Sequence, residues 1–257
     1  MLKIRVVNIV ALLMLASLLM AEVLVNIPSY PFILLFISYV AAVAYGSVVM
    51  SAQMFGINTT CGDSSKRQIA LTFDDGPIPG KTEEVLRILE QHHVKAAFFC
   101  IGSRVNGSPD LVNEVVKRGH IVGNHSYSHK PWFGFLSFTK VRAELAAANS
   151  AIFKVIGKEP VFFRPPYGVT NPMIGKAAFA GNFHSIGWSI RSFDTVISNT
   201  GSLLKRVTTP LKNGDVVLFH DYSDSMLAIL PDFIAYARNK GYEIVRLDVL
   251  LNQEPYR

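Results

Sequence analysis

Read by its apolar and polar positions, the chain has two textures. Residues 4–25 (IRVVNIVALLMLASLLMAEVLV) hold only Arg5 and Glu22 as charged side chains, and residues 32–52 (FILLFISYVAAVAYGSVVMSA) hold none. Each stretch is about long enough to cross a bilayer as a helix. Asn26-Ile27-Pro28-Ser29-Tyr30-Pro31 between them reads as a tight turn, with a Tyr suited to the membrane interface. The pattern predicts a two-helix membrane hairpin within residues 1–55. The alternative is one cleaved signal peptide, with Lys3 and Arg5 as its charged start and Ala42-Val43-Ala44 as its cleavage site. Two apolar spans in succession weigh against it.

Residues 56–68 read as a linker, ending in the polar run Gly62-Asp63-Ser64-Ser65-Lys66-Arg67-Gln68. From residue 69 to 257 short apolar runs alternate with amphipathic stretches. Strands are predicted at 69–73, 96–101, 120–124, 161–163, 184–188, 215–219 and 242–247. Helices are predicted at 81–92, 109–118, 139–156, 172–181, 201–208 and 225–238. Pro109 suits a first helical turn, and Gly119, Gly157 and Gly241 suit helix ends. Repeated strand-then-helix implies an α/β fold with a parallel sheet and outer helices. About seven strands fit a barrel or a doubly wound sheet. No internal repeat and no low-complexity tract is present.

Composition sharpens this only in part. Half of the residues are hydrophobic, and the excess sits in the first 55. The net charge of +6 belongs to residues 66–257, which hold 23 basic and 17 acidic side chains. No dense Lys/Arg cluster occurs, which excludes a nucleic-acid surface. A mildly basic face suits an anionic membrane or polymer, or is simply solvated.

Chemistry gathers at the predicted strand exits. Thr72-Phe73-Asp74-Asp75-Gly76-Pro77 ends the first strand at a turn pair. Exits of parallel strands are where α/β folds build sites. Two adjacent acids can divide labour, one ligating a metal while the other takes protons; the plainer reading is a solvated turn. His125-Ser126-Tyr127-Ser128-His129 follows the third strand. Two His four apart share one side of a helical turn, so both imidazoles could reach one metal. One Asp and two His suit a catalytic Zn²⁺ with open positions. Arg164-Pro165-Pro166-Tyr167-Gly168 is a rigid loop that could aim a backbone N–H at developing charge. Its Arg164 is a fixed cation that could hold a catalytic Asp ionised. Leu218-Phe219-His220-Asp221 puts a proton carrier, His220, at another exit. His92, His93, His120 and His184 have no motif partner and read as surface or structural. The loop Lys130-Pro131-Trp132-Phe133-Gly134-Phe135 could stack on sugar rings, enter a bilayer or pack on the barrel.

Together TFDDGP, HSYSH, RPPYG and LFHD, in this order, resemble the polysaccharide deacetylases with a NodB-homology domain, carbohydrate esterase family 4. The resemblance covers about residues 66–250. It implies a distorted (β/α) barrel and metal-dependent removal of N- or O-acetyl groups from a sugar polymer such as peptidoglycan or poly-N-acetylglucosamine. It further implies Asp74 as base, and Asp75, His125 and His129 as ligands of a divalent metal, Zn²⁺ by preference. Arg164 would brace the base, the Tyr167 N–H would serve the oxyanion, and His220 would be the acid. Pro166, Trp132 and Trp188 would line the substrate site. A non-catalytic membrane-anchored glycan-binding relative is the alternative from another class, and a deacetylase of a lipid-linked sugar is the alternative substrate reading.

One segment departs from the family. Its fourth motif is often Trp-x-x-Asp-x-x-Asp, and here Trp188-Ser189-Ile190-Arg191-Ser192-Phe193-Asp194 has Arg191 at the first Asp. Arg191 would lower the pKa of a nearby His, or recognise an anionic substrate group; Asp194 is then the candidate partner of His220. The side of the membrane is also open. Lys3, Arg5, Lys66 and Arg67 favour a cytoplasmic domain after two spans. Cys61 and Cys100 argue otherwise, because the strand carrying Cys100 should lie beside the strand that follows Cys61, and a disulfide persists only in an oxidising compartment. The expectation is an inner-membrane protein whose domain faces the periplasm or cell exterior, with a Cys61–Cys100 bond.

Overall fold

The structure is a computed structural model describing residues 2–257. Helices α1 (Leu2–Val25) and α2 (Tyr30–Val48) pack against each other as a hairpin, and both are long and apolar enough to cross a membrane. The rest alternates strand and helix. In chain order it runs β1 (Asn58–Thr59), β2 (Gln68–Asp74), α3 (Thr82–Gln91), β3 (Ala97–Cys100), α4 (Gly102–Gly107), α5 (Pro109–Lys117), β4 (Ile121–Asn124) and α6 (Phe138–Ile156). Then follow β5 (Phe162–Phe163), α7 (Pro172–Ala180), β6 (His184–Ile186), β7 (Ile190–Arg191), α8 (Thr200–Thr208), β8 (Val216–His220), α9 (Asp224–Asn239), β9 (Glu243–Ile244) and α10 (Leu247–Leu251).

Eight strands form one curled path in the order β1-β6-β5-β4-β3-β2-β8-β7, all pairs parallel, and β9 joins the start of β2. This is the (β/α) half-barrel the alternation implied, with more strands than the seven expected. The expected strand 242–247 shrinks to two residues before α10 begins, and 184–188 gives way to two short strands, β6 and β7. The stretch 56–68 contains β1, which pairs with β6 through Asn58↔Ser185.

The two-residue period of β2 sorts its side chains. Ile69, Leu71 and Phe73 face the helices in one apolar cluster with α3, α5, α8 and α9, while Ala70 faces inward with Ala97, Phe99, Ile121, Phe162 and Val216. Leu247 and Leu250 of α10 close that inner cluster. By the same parity Thr72 and Asp74 point inward at the carboxyl end of β2. On β8, Val217 and Phe219 join the helix side and Val216 the inner side, so His220 points inward too. Register sets Asp74 beside both Phe99 and His220.

The cysteines correct the expected bond: both are free, Cys61 exposed and Cys100 buried. Cys61 bridges to Asp215, just before β8 starts, whereas Cys100 ends β3 at the level just beyond His220. Six residues of strand separate those levels, about 20 Å. Neighbouring strands bring the two thiols to opposite ends of the sheet.

The hairpin is docked directly on the barrel. The Thr170 N–H donates to the Ser47 carbonyl at 2.9 Å, and its hydroxyl to the Gly46 carbonyl at 3.3 Å. The Lys3 amine donates to the Ala52 carbonyl at 2.8 Å, and the Ile4 N–H to that of Met54 at 3.3 Å. Gly46 has to be glycine here, since a Cβ would overlap the Met54 side chain.

Candidate active site

Every strand that carries a motif delivers it to one edge. Asp74 is 4% exposed, and its Oδ1 accepts from Arg164 Nη1 at 2.7 Å. Arg164 is fully buried, which for an unpaired charge would cost several kcal/mol. It is offset by four hydrogen bonds: to Asp74, to Thr72 Oγ1 at 2.9 Å, and to the Ile186 and Gly187 carbonyls at 3.1 and 2.8 Å. The guanidinium also lies 4.1 Å over the Phe99 ring. Arg164 thus ties β2, β5 and β6 together and fixes one Asp74 oxygen, leaving Oδ2 to face the site.

Asp75 follows with φ of 75°, a left-handed value that swings its carboxylate away from the strand direction. Arg104 donates to its carbonyl and holds that turn. Asp75 Oδ1 lies 3.4 Å from His125 Nε2 and 3.2 Å from His129 Nε2. No hydrogen bond satisfies this buried oxygen. Burial pushes the carboxyl up, but contact with His125 and the charges of His125, His129 and His220 outweigh it and hold it well below the usual carboxylate range.

The two His sit on a loop, which corrects the expected helical turn: Ser126 and His129 have φ of 62° and 47°. The loop is held from outside. Glu144 of α6 accepts from the Tyr127 N–H at 3.1 Å, the Ser128 N–H at 2.8 Å and the Ser128 hydroxyl at 2.8 Å. Asn124 Oδ1 accepts from the Ser126 N–H at 2.9 Å. His125 is buried, and its Nδ1–H donates to the Arg164 carbonyl at 2.8 Å, which aims Nε2 at Asp75. Burial lowers its pKa, but Asp74 and Asp75 raise it above the ordinary value, so a cation bound there would take the place of a proton. Burial, then the His125 charge, push His129 down to about 4, so its imidazole is neutral and able to ligate.

Asp75, His125 and His129 therefore offer one oxygen and two nitrogens, all within 4.8 Å of one another. An orphaned buried carboxylate oxygen, facing two imidazole nitrogens whose rings are oriented from behind, fits a divalent cation. One oxygen and two nitrogens suit Zn²⁺ and also admit other first-row ions.

Across the cleft, His220 Nδ1–H donates to Asp194 Oδ1 at 2.8 Å, and the His220 N–H to Asp194 Oδ2 at 2.8 Å. Asp194 is 3% exposed and also accepts from the Ser192 hydroxyl. Burial pulls the His220 pKa down, but Asp194, with Asp74 and Asp75 behind it, raises it above the ordinary value. The Arg191 guanidinium is exposed, 5.5 Å from the Trp188 ring and 4.7 Å from the Phe193 ring, and it is not among the groups that set the His220 pKa.

Tyr167 sits between two prolines' turn and Gly168, with φ of 61°. Its N–H donates to no backbone carbonyl among the described residues. Pro166 is buried, and Trp188 covers Gly168 so closely that a Cβ there would overlap the indole. Trp132 and Phe135 are exposed while Phe133 between them is buried. His120 is structural, as expected: its Nδ1 accepts from the Ala96 N–H at 3.1 Å.

Thr72, Asn124, Glu144 and Asp221 carried no assigned role in the sequence reading. Asp221 is fully buried beneath Gly76 and accepts from Thr82 at 2.5 Å. Burial first, with the charges of Asp75 and Asp74, pushes it up to about 7. Its place directly after His220 was the one available signal; the others act across long separations that no local pattern records.

A family model described as polysaccharide deacetylase matches residues 62–183. The peptidoglycan-N-acetylglucosamine deacetylase PgdA of Listeria monocytogenes is 35% identical over 190 residues, covering 74% of this chain and 40% of the relative. This chain thus spans well under half of that protein. A peptidoglycan-N-acetylglucosamine deacetylase of Bacillus cereus is 34% identical over 193 residues, covering 73% of this chain and 90% of the relative. Among solved structures, the Bc1960 peptidoglycan N-acetylglucosamine deacetylase superposes with a TM-score of 0.74 at 29% identity, covering 78% of this chain and 95% of that one. A CE4 family pseudoenzyme from Bacillus anthracis superposes with a TM-score of 0.71 at 27% identity, covering 76% and 68%.

Proposed function

The chain belongs to the polysaccharide deacetylase family, the CE4 carbohydrate esterases, and on that premise we propose that it is a metal-dependent hydrolase releasing acetate from N-acetylated sugars of a cell-wall or exported glycan. The observation carrying this is the convergence of two separate proton-handling groups, Asp74–Arg164 and His220–Asp194, on either side of the Asp75–His125–His129 cluster. A glycan-binding relative without activity would have no need of a buried Asp on its His.

Asp75, His125 and His129 would hold a divalent ion, which would supply a Lewis acid for the acetyl carbonyl and lower the pKa of water. Asp74 takes the water proton on Oδ2, its other oxygen being fixed by Arg164. The Tyr167 N–H donates to the developing oxyanion, a type of donor worth about 10²–10³ in rate. His220 gives its Nε2 proton to the departing sugar nitrogen, with Asp194 stabilising the imidazolium. The products are the free amine and acetate.

Residues 1–55 form the membrane anchor in this reading, 56–68 the connection, which adds β1 to the sheet, and 69–257 the rest of the catalytic domain. The domain faces the periplasm or cell exterior of the inner membrane. Support comes from the wall polymer in the relatives' names, not from the cysteines, which are unpaired. Protease treatment of intact spheroplasts carrying a tag at Arg257 tests the side: a tag cut only after lysis refutes it. For the reaction, the experiment is acetate release from peptidoglycan, chito-oligosaccharides and acetylated β-1,6-glucosamine, with and without chelator. Chelator-sensitive release supports the reading, and no release from any of them or from a lipid-linked N-acetylglucosamine under metal-replete conditions overturns it.

A further inference from the structure

The hairpin and the catalytic groups occupy the same edge of the sheet. Thr170, which bonds the end of α2, lies in the loop after β5, and that loop also carries Tyr167. They are three positions apart, at most about 11 Å of chain. Gly187, next after β6 and an acceptor of Arg164, packs on Met50 just beyond α2. Asn171 Nδ2 donates to the Gly134 carbonyl at 2.5 Å, which ties the same loop to the aromatic turn beside His129.

That turn exposes large apolar groups. Phe135 is 92% exposed, Trp132 56% and neighbouring Met173 36%. Set in water beside a cleft they gain nothing. Set in a headgroup layer they gain burial, and Trp favours that depth in particular. The 19 residues of α2 span about 28 Å, close to a hydrocarbon core. Its carboxyl end then emerges at the interface, where Thr170 holds the loop.

Resting on the deacetylase reading and on the hairpin spanning a bilayer, we propose that the active site opens into the headgroup layer of its own membrane and takes N-acetyl sugars carried on a membrane lipid. The substrate's lipid stays in the leaflet while the sugar reaches the cleft between Trp132 and Tyr167. On this placement the lipid-linked sugar is favoured over a polymer chain held away from the bilayer.

The test uses the metal-loaded full chain in nanodiscs. Acetate release is compared between a polyprenyl-diphosphate-linked N-acetylglucosamine in the same disc and soluble chitotetraose. The expected kcat/KM is at least tenfold higher for the lipid-linked sugar. In a Trp188→Phe variant, Trp132 is the sole tryptophan of the chain, and its fluorescence is expected to be quenched by lipids brominated near the headgroup. Equal turnover of both substrates, or a Trp132 quenched by aqueous acrylamide and not by the brominated lipids, overturns this inference and leaves the deacetylase reading standing. No acetate from either substrate overturns both.

Discussion

Asp74 and Asp75 are adjacent in sequence and reach opposite partners. The strand's period turns Asp74 toward Arg164, and a left-handed φ turns Asp75 toward the two imidazoles. Their substitutions should therefore separate. Asp74→Asn is expected to keep its metal and lose about 10²–10⁴ in kcat, the range for removing a general base. Asp75→Ala, His125→Ala and His129→Ala are each expected to lose metal and turnover together, because the shell has no spare ligand. Elemental analysis alongside acetate assays checks both, and a metal-free Asp74→Asn would mean the two Asp roles are exchanged. For the acid, the sign follows from His220 having to carry the proton it gives away. Burial lowers its pKa and the Asp194 contact raises it. Asp194→Asn removes the raising contact, so the alkaline limb of the kcat/KM profile should move to lower pH. A limb that stays in place would assign it to another group.

At the scale of elements, α6 acts on the site from a distance. Glu144 gathers three donors of the 127–128 backbone and side chain, and the two His orientations depend on that loop. Glu144→Ala should weaken metal affinity about 10–100-fold, as losing an outer support does, with an unchanged far-UV spectrum; a competition titration against a metal indicator reads it. The same element shows what was and was not legible beforehand. Long strands announced themselves, and with them the placing of Asp74 and His220 at strand exits, while their inward direction came from the structure. Two-residue strands such as β1 and β7 carry too few positions for any period, so they were invisible. HSYSH looked helical by spacing alone. Its actual shape depends on Glu144 and Asn124, whose contacts are tertiary and outrank local preference. Arg191 was misleading for a related reason: its motif position lies at a strand end, but its side chain leans outward onto Trp188 and Phe193.

For the whole molecule, the free thiols give a direct check of the sheet's arrangement. Cys61 should react with a maleimide in the native protein, and Cys100, 1% exposed, only after unfolding. Two unreactive thiols that appear after reduction would mean the strand levels are wrong. The double attachment of the hairpin has a wider result. The first turn of α1 is tied to Ala52 and Met54 in the connection after α2, and the last turn of α2 to Thr170, so α2 is not free to tilt without moving a loop of the barrel, nor α1 without moving that connection. Yet α1 has 24 residues and α2 has 19, about 36 and 28 Å of helix. A bilayer of any one thickness fits them unequally, and helices relieve such mismatch by tilting, at fractions of a kcal/mol per Å. With the hairpin spanning a bilayer as proposed, lipid acyl-chain length would become a control on catalysis: in vesicles of graded thickness, turnover of even a soluble sugar should pass through an optimum, with the loop of Tyr167 as the part that is moved.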